Sequence, residues 1–217
     1  YLGCITMDNL LNELEALKSN LDNLPIEKIE NYDLSKTALF IIDVNNGFAR
    51  QGALYSPRVE SLIKPIEMFT KKISNKLNKV IAFTDSHTPK SIELLSYPVH
   101  CLENDVESEL VDELKSIENL QILPKNSTNG FFALENLDFD NIDNIIIVGD
   151  CTDICIYQFA ITLKSYFNQH NIEKNIVVPM NLVDTYDIPN VHPAEILNLV
   201  FFNSMIQNGV NVLKEIR

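Results

Sequence analysis

The sequence predicts a doubly wound, mostly parallel α/β fold, a six-stranded sheet with helices on both faces in a three-layer sandwich. Three observations predict it. Short β-branched runs recur along the chain, continuous enough for strands buried on both faces. Segments of helical apolar spacing lie between them, and such alternation requires crossover connections and a parallel sheet. The 217 residues, 46% of them apolar, suffice for one substantial core.

The elements follow in order. Leu10, Leu14, Leu17, Leu21 and Leu24 recur at alternating steps of four and three, an apolar stripe on a helix stopped by Pro25. The stripe is expected to cover the protein's own body, within an N-terminal helical extension (1–36) ahead of the main domain (37–217). Residues 38–42 form a strand ending at Asp43. Ser56-Pro57, with Glu60, starts a helix that carries Leu62, Ile66 and Phe69 inward. Residues 80–83 lead to Asp85, and 120–123 stop just before Lys125. Ile145-Ile146-Ile147-Val148 runs into Gly149-Asp150-Cys151-Thr152-Asp153-Ile154-Cys155, where Thr152 or Asp153 caps a helix burying Ile156, Phe159, Ala160 and Leu163. A strand at 176–178, a helix over 193–208 closed by Gly209, and a strand at 210–213 complete the sheet.

Composition narrows the function. A net charge of −13 argues against nucleic acid, which wants a basic face. No apolar run reaches membrane-span length, so no membrane partner is expected. No charged, apolar, then small-residue sequence opens the chain, so no secretory signal is expected. Tyr1 opens it, Met7 stands directly before the helical pattern, and residues 1–6 carry little weight. Cys4, Cys101, Cys151 and Cys155 show no disulfide-framework spacing, which indicates a reducing, cytoplasmic setting.

Ligands collect at the carboxyl ends of strands in such sheets. Asp43, Asp85, Lys125 and Cys155 all fall at those ends. Cys155 lies in the first turn of a helix, where the dipole and free N–H groups favour a thiolate and can receive an oxyanion. Asp43, partly desolvated, is a usable base. Lys125 is placed to hold Asp43 and Cys155 in register. Together they suit acyl transfer through an activated nucleophile. A second constellation is Asp85, His87, Glu93 and His100, a donor set for zinc, iron or manganese and a poor one for copper(I). The duller alternatives are a capping carboxylate at Asp43, a small buried hydrophobe at Cys155, and a redox pair of Cys151 with Cys155.

These residues resemble motifs of the isochorismatase-like cysteine hydrolases, a Rossmann-like family, and within it of the nicotinamidases. Ile42-Asp43-Val44-Asn45-Asn46-Gly47-Phe48 is similar to I-D-x-Q-N-D-F, with Asn45 for Gln and Gly47 for Asp. Gly149 to Cys155 matches G-x-x-T-D-x-C, and Lys125 falls where the family has a lysine. The resemblance implies Asp43, Lys125 and Cys155 as catalytic residues, Cys155 the nucleophile. It also implies the N–H groups of Cys151 and Cys155 as the oxyanion hole, and a cis peptide before Cys151. Asp85, His87, Glu93 and His100 become ligands of one divalent ion, zinc first, with iron or manganese as alternatives. Phe48 and Tyr97 flank the ring of a small amide. The implied reaction takes nicotinamide to nicotinate and ammonia. A sister activity on a carbamoyl or ureido compound and a non-catalytic binding relative are the alternatives. Family members are often oligomeric, which makes the Leu10-to-Leu24 stripe a candidate contact in a homo-oligomer.

Overall fold

The structure, a computed structural model, describes residues 6–134 and 138–217. Its strands are β1 (Ile26–Glu27), β2 (Thr37–Ile42), β3 (Lys79–Asp85), β4 (Leu120–Lys125), β5 (Asn144–Gly149), β6 (Asn175–Pro179), β7 (Asn211–Leu213) and β8 (Glu215–Ile216). The helices are α1 (Met7–Asp22), α2 (Asn46–Ala49), α3 (Pro57–Ile73), α4 (Asp112–Lys115), α5 (Tyr157–Gln169) and α6 (Ala194–Gln207).

Six strands pair in parallel in the order β4-β3-β2-β5-β6-β7. The chain winds from β2 outward through β3 and β4, then crosses to β5 and winds the other way. The switch point therefore lies between β2 and β5, where the loops diverge and leave a crevice. Every residue of β2 is buried, as a central strand covered on both faces requires. Alternate side chains feed two cores. Phe40 meets Phe83 and Phe159 edge-on at 5.6 and 5.5 Å on one face, while Leu39 and Ile41 pack with Ile66 and Ile73 on the other.

Gly149 closes β5 at φ 117°, and a Cβ there would sit 2.0 Å from the Ile42 carbonyl oxygen of β2. Only bare backbone lets the two central strands end this close together.

Three local expectations change. Helix α1 ends at Asp22, with Asn23 as its C-cap, before Pro25 is reached. Of the leucine stripe only Leu21 is buried, and Leu10 is 43% exposed, because the helix rests on α6 through its C-terminal part alone. There the Asn203 amide donates to the Leu17 carbonyl at 3.4 Å. Ser56 makes no capping bond; Glu60 is engaged by Arg50 at 2.8 Å and Tyr55 at 2.6 Å, although the helix does begin at Pro57. Neither Thr152 nor Asp153 caps the helix after β5. Cys151 takes the cap position, Thr152–Ile156 winds as a π-turn, and Asp153 bonds Thr185 and His192 instead.

The N-terminal segment joins the body. β1 pairs in parallel with β8, and Ile29 is buried in the core. Among the described residues, no helix is long and apolar enough to cross a membrane.

Candidate active site

The switch point gathers the polar strand-end residues. Asp43 follows β2 directly, fully buried at φ 55°, with its N–H donating to the Phe83 carbonyl at 3.0 Å. Lys125 lies opposite Asp85 in the β3–β4 register. Its ammonium reaches Asp43 Oδ2 at 2.9 Å and Asp85 Oδ1 at 2.5 Å. The expectation that Lys125 spans Asp43 and Cys155 is thus modified. It bridges Asp43 to Asp85, and so joins the two constellations.

Burial works differently on each group. Burial pushes the Asp43 carboxyl up to about 7, against the opposing pull of the Lys125 charge. Burial acts to raise Asp85 as well, yet Lys125, His100 and His87 hold it well below the usual carboxylate range. Burial alone lowers Lys125, but the Asp43 and Asp85 carboxylates keep it well above the usual ammonium range. Burial and then the Asp43 charge drive the Cys155 thiol well above its usual value, and Lys125 only partly offsets them. The expected resting thiolate is therefore corrected. Cys155 is 8% exposed, too dry for the helix start to ionise it, and it rests as a neutral thiol facing a base.

Asp85, His87, Glu93 and His100 present ligand atoms all within 4.8 Å of one another. His87 Nε2 lies 3.1 Å and His100 Nε2 3.2 Å from Asp85 Oδ2, and Glu93 Oε1 stands 3.8 Å from His87 Nε2. The other ring nitrogens are engaged: His87 Nδ1 donates to Asn126 Oδ1 at 3.0 Å, and His100 Nδ1 to the Pro98 carbonyl at 2.7 Å. With Nδ1–H engaged elsewhere, each Nε2 faces the Asp85 carboxylate, an arrangement that a cation between them satisfies. These donors fit a divalent ion of the zinc, iron or manganese type. Asn45 steadies them, donating from Nδ2 to the Asp85 carbonyl at 3.0 Å and the Ser108 carbonyl at 3.2 Å.

Both constellations open on one pocket of about 150 Å³. Asp43, Asp85, Glu93, His100, Cys151 and Cys155 line it, as do Phe48 and Tyr97. The Phe48 and Tyr97 rings stand 5.7 and 6.1 Å from that of His100. The Asp150–Cys151 peptide is cis, and Cys101, Cys151 and Cys155 are free thiols. Cys4 lies outside the described residues.

Sequence reasoning missed two pocket residues and one residue buried behind the donor group. Asn45, a departure from the motif, is the buried one, and its bonds to the Asp85 and Ser108 carbonyls have no local signal. Asp150 is buried with one carboxyl oxygen unpartnered; burial, reinforced by Asp43, drives it well above the usual carboxylate range. Its place between an apolar strand and the cysteines was the available signal. Tyr186 enters from an irregular loop and left no periodic signal at all.

A thiol, a desolvated carboxyl and a cation-ready donor group around one crevice define a nucleophilic hydrolase architecture. The isochorismatase domain matches residues 37–209, and the chain belongs to that family. Its relatives include nicotinamidase 1 of Arabidopsis thaliana, 28% identical over 89% of this chain and 93% of that one. The fold is shared with the yeast nicotinamidase Pnc1p solved with the inhibitor nicotinaldehyde, at TM-score 0.68 and 17% identity over 82% of this chain and 99% of the yeast one. A Pyrococcus horikoshii pyrazinamidase solved in complex with zinc gives TM-score 0.65 at 20% identity, covering 82% and 98%.

Proposed function

We propose that the protein is a metal-dependent cysteine amidohydrolase that converts nicotinamide to nicotinate and ammonia. It is a hydrolase of amide bonds, a reading supported by its nicotinamidase relatives. The observation that carries the finer reading is the meeting of Cys155, Asp43 and a four-donor group on one pocket of about 150 Å³. An apolar cavity of about that volume accommodates one benzene-sized ring.

Asp43 takes the Cys155 proton as sulfur attacks the carboxamide carbon. The backbone N–H groups of Cys151 and Cys155 receive the developing oxyanion. When the tetrahedral species collapses, the C–N bond breaks and Asp43 returns the proton to nitrogen. Ammonia leaves, and a thioester remains on Cys155. Asp43 then accepts a proton from water, whose oxygen attacks the thioester, and nicotinate departs as Cys155 regains its proton. Lys125 holds Asp43 in place and offsets negative charge as the thiolate forms. Phe48 and Tyr97 confine the ring. Asp85, His87, Glu93 and His100 would hold the divalent ion, whose chemistry is that of a Lewis-acid anchor for a ring nitrogen.

Ammonia release from nicotinamide, benzamide and a carbamoyl or ureido substrate, with and without chelator, tests this. Turnover of nicotinamide that chelator removes and added zinc, iron or manganese restores is the expected outcome. Preference for the carbamoyl compound would transfer the protein to the sister activity, and chelator-insensitive turnover would remove the metal from the reaction.

A further inference from the structure

Between β6 and α6 the chain crosses the pocket mouth in a loop that no motif names. Tyr186, Asp187 and Ile188 of this loop line the pocket. The phenol of Tyr186 is half-buried; burial first, then the nearby Cys151, Asp153, Tyr97 and Cys155, pushes it up to about 12, so it presents a neutral hydroxyl beside the nucleophile.

The loop is held with unusual thoroughness. Asp153 accepts from Thr185 Oγ1 at 2.6 Å through one oxygen and meets His192 Nε2 at 2.9 Å through the other. His192 Nδ1 donates to the Tyr186 carbonyl at 2.9 Å, and the two rings stack at 3.7 Å with 16° between planes. Ile188 and His192 exchange both backbone hydrogen bonds, at 3.0 and 2.8 Å. From α3, Arg58 donates to the Thr185 carbonyl at 3.1 Å and pairs with Asp184 at 2.8 Å. Asp153 stands two residues before Cys155 in the same π-turn. The aromatic wall and the nucleophile are therefore positioned from one piece of backbone.

We propose that Tyr186 is a substrate-contacting wall that restricts the pocket to single-ring aromatic amides, and that Asp153 and His192 are positioning residues that hold it there. The inference rests on the amidohydrolase reading and names the specificity device of that site. The Tyr186 ring rests on the His192 ring, which Asp153 holds from its far nitrogen, so the wall leaves its position only by giving up that stack. A second fused ring on the substrate has no room while the phenol stays in place.

Steady-state ammonia release from nicotinamide and from a quinoline carboxamide tests it in wild type, Tyr186→Ala, His192→Ala and His192→Gln. In Tyr186→Ala, KM for nicotinamide rises about tenfold while kcat moves less than about threefold, and relative turnover of the bicyclic amide increases. His192→Ala shifts both in the same direction. His192→Gln, whose amide reaches Asp153, restores the wild-type KM. Unchanged KM and unchanged selectivity in Tyr186→Ala overturn the proposal, as does a His192→Ala variant that loses kcat alone.

Tyr186→Trp guards against variants that do not fold. The chain has 0 tryptophans, so this indole is the sole fluorescent reporter of its kind. Its emission changes saturably with added nicotinate if position 186 touches the ligand, and an unchanged spectrum at ligand saturation overturns the contact. Wild-type protein that releases ammonia from none of these amides defeats the amidohydrolase reading. The indole titration with nicotinate then still decides whether position 186 is a ligand wall.

Discussion

Cys155 keeps its proton at rest because the residues that surround it are dry and, on balance, negative; Asp43 is raised for the same reason. Nucleophile and base are thus matched as thiol and carboxylate, and the proton moves only when substrate arrives. Two predictions follow from this pairing. Cys155→Ala should lower ammonia release by at least about 10³-fold while the thermal midpoint stays near wild type, since one sulfur is removed from a small buried side chain. Cys151→Ala should keep most activity, because its backbone N–H remains. If the two variants are equally dead, a redox pair explains them better. The second concerns pH. Asp43 accepts a proton only when ionised, so kcat/KM should fall as pH drops through about 7 at saturating metal. The linkage runs the opposite way for stability. A carboxyl raised above its unfolded value favours the fold below that unfolded value, and loses the contribution as pH climbs through its folded one. A rate profile flat from pH 5 to pH 8, about three decades of proton activity across the region of Asp43, would exclude Asp43 as the base. At this scale the strand-end residues were legible, since each ends an apolar run. Tyr186 was not, because its position is set by His192 and Asp153, partners 39 positions apart.

The elements were legible where burial is two-sided and failed where partners are distant. β2 and β5 could be recognised from Ala38-Leu39-Phe40-Ile41-Ile42 and Ile145-Ile146-Ile147-Val148 because a central parallel strand has no polar face to alternate. The turn after β5 defeated local reasoning. Thr152 and Asp153 carry the chemistry of a cap, but Asp153 has stronger calls on it from Thr185 and His192, and the cap position falls to Cys151. β1 and β8 have two residues each, too few for any periodicity. The most restrictive position in these elements is Gly149. Gly149→Ala puts a methyl 2.0 Å from the Ile42 carbonyl oxygen, and that oxygen belongs to a central strand that cannot yield. The expected cost exceeds about 4 kcal/mol, with loss of a cooperative melting transition. Gly130→Ala is the control. Its methyl meets the edge of Phe83 at 3.0 Å, a side chain able to shift, and the cost should stay near 1–3 kcal/mol by thermal or denaturant melting. Equal stability of the two variants would mean that the β2–β5 junction is looser than its geometry.

At the scale of the whole molecule, the isochorismatase domain accounts for 37–209, while the chain before it contributes in two unequal ways. Helix α1 lies on α6 with most of its surface in solvent, and its last carbonyls are tied by Lys214, which reaches the Asp22 carbonyl at 2.7 Å. Residues 25–36 are different. Ile29 is 1% exposed, its N–H donates to the Arg217 carbonyl at 2.9 Å, and β1 supplies the partner that β8 pairs with. Burying one isoleucine contributes about 1.5–3 kcal/mol, and the β1–β8 ladder with its flanking bonds is lost with it. Two truncations separate these contributions. Removing residues 1–24 should leave amide turnover within about twofold and lower the melting temperature by a few degrees, the response to a loss near 1 kcal/mol in a domain of this size. Removing residues 1–36 should lower it far more, because Ile29 and the β8 partner go together and the C-terminal strand is left with an open edge. The comparison also tests the division of the chain at residue 36. If both truncations melt alike and keep turnover, the 1–36 segment is a separable extension; if only the longer one fails, the domain begins near residue 25 and the extension is α1 alone.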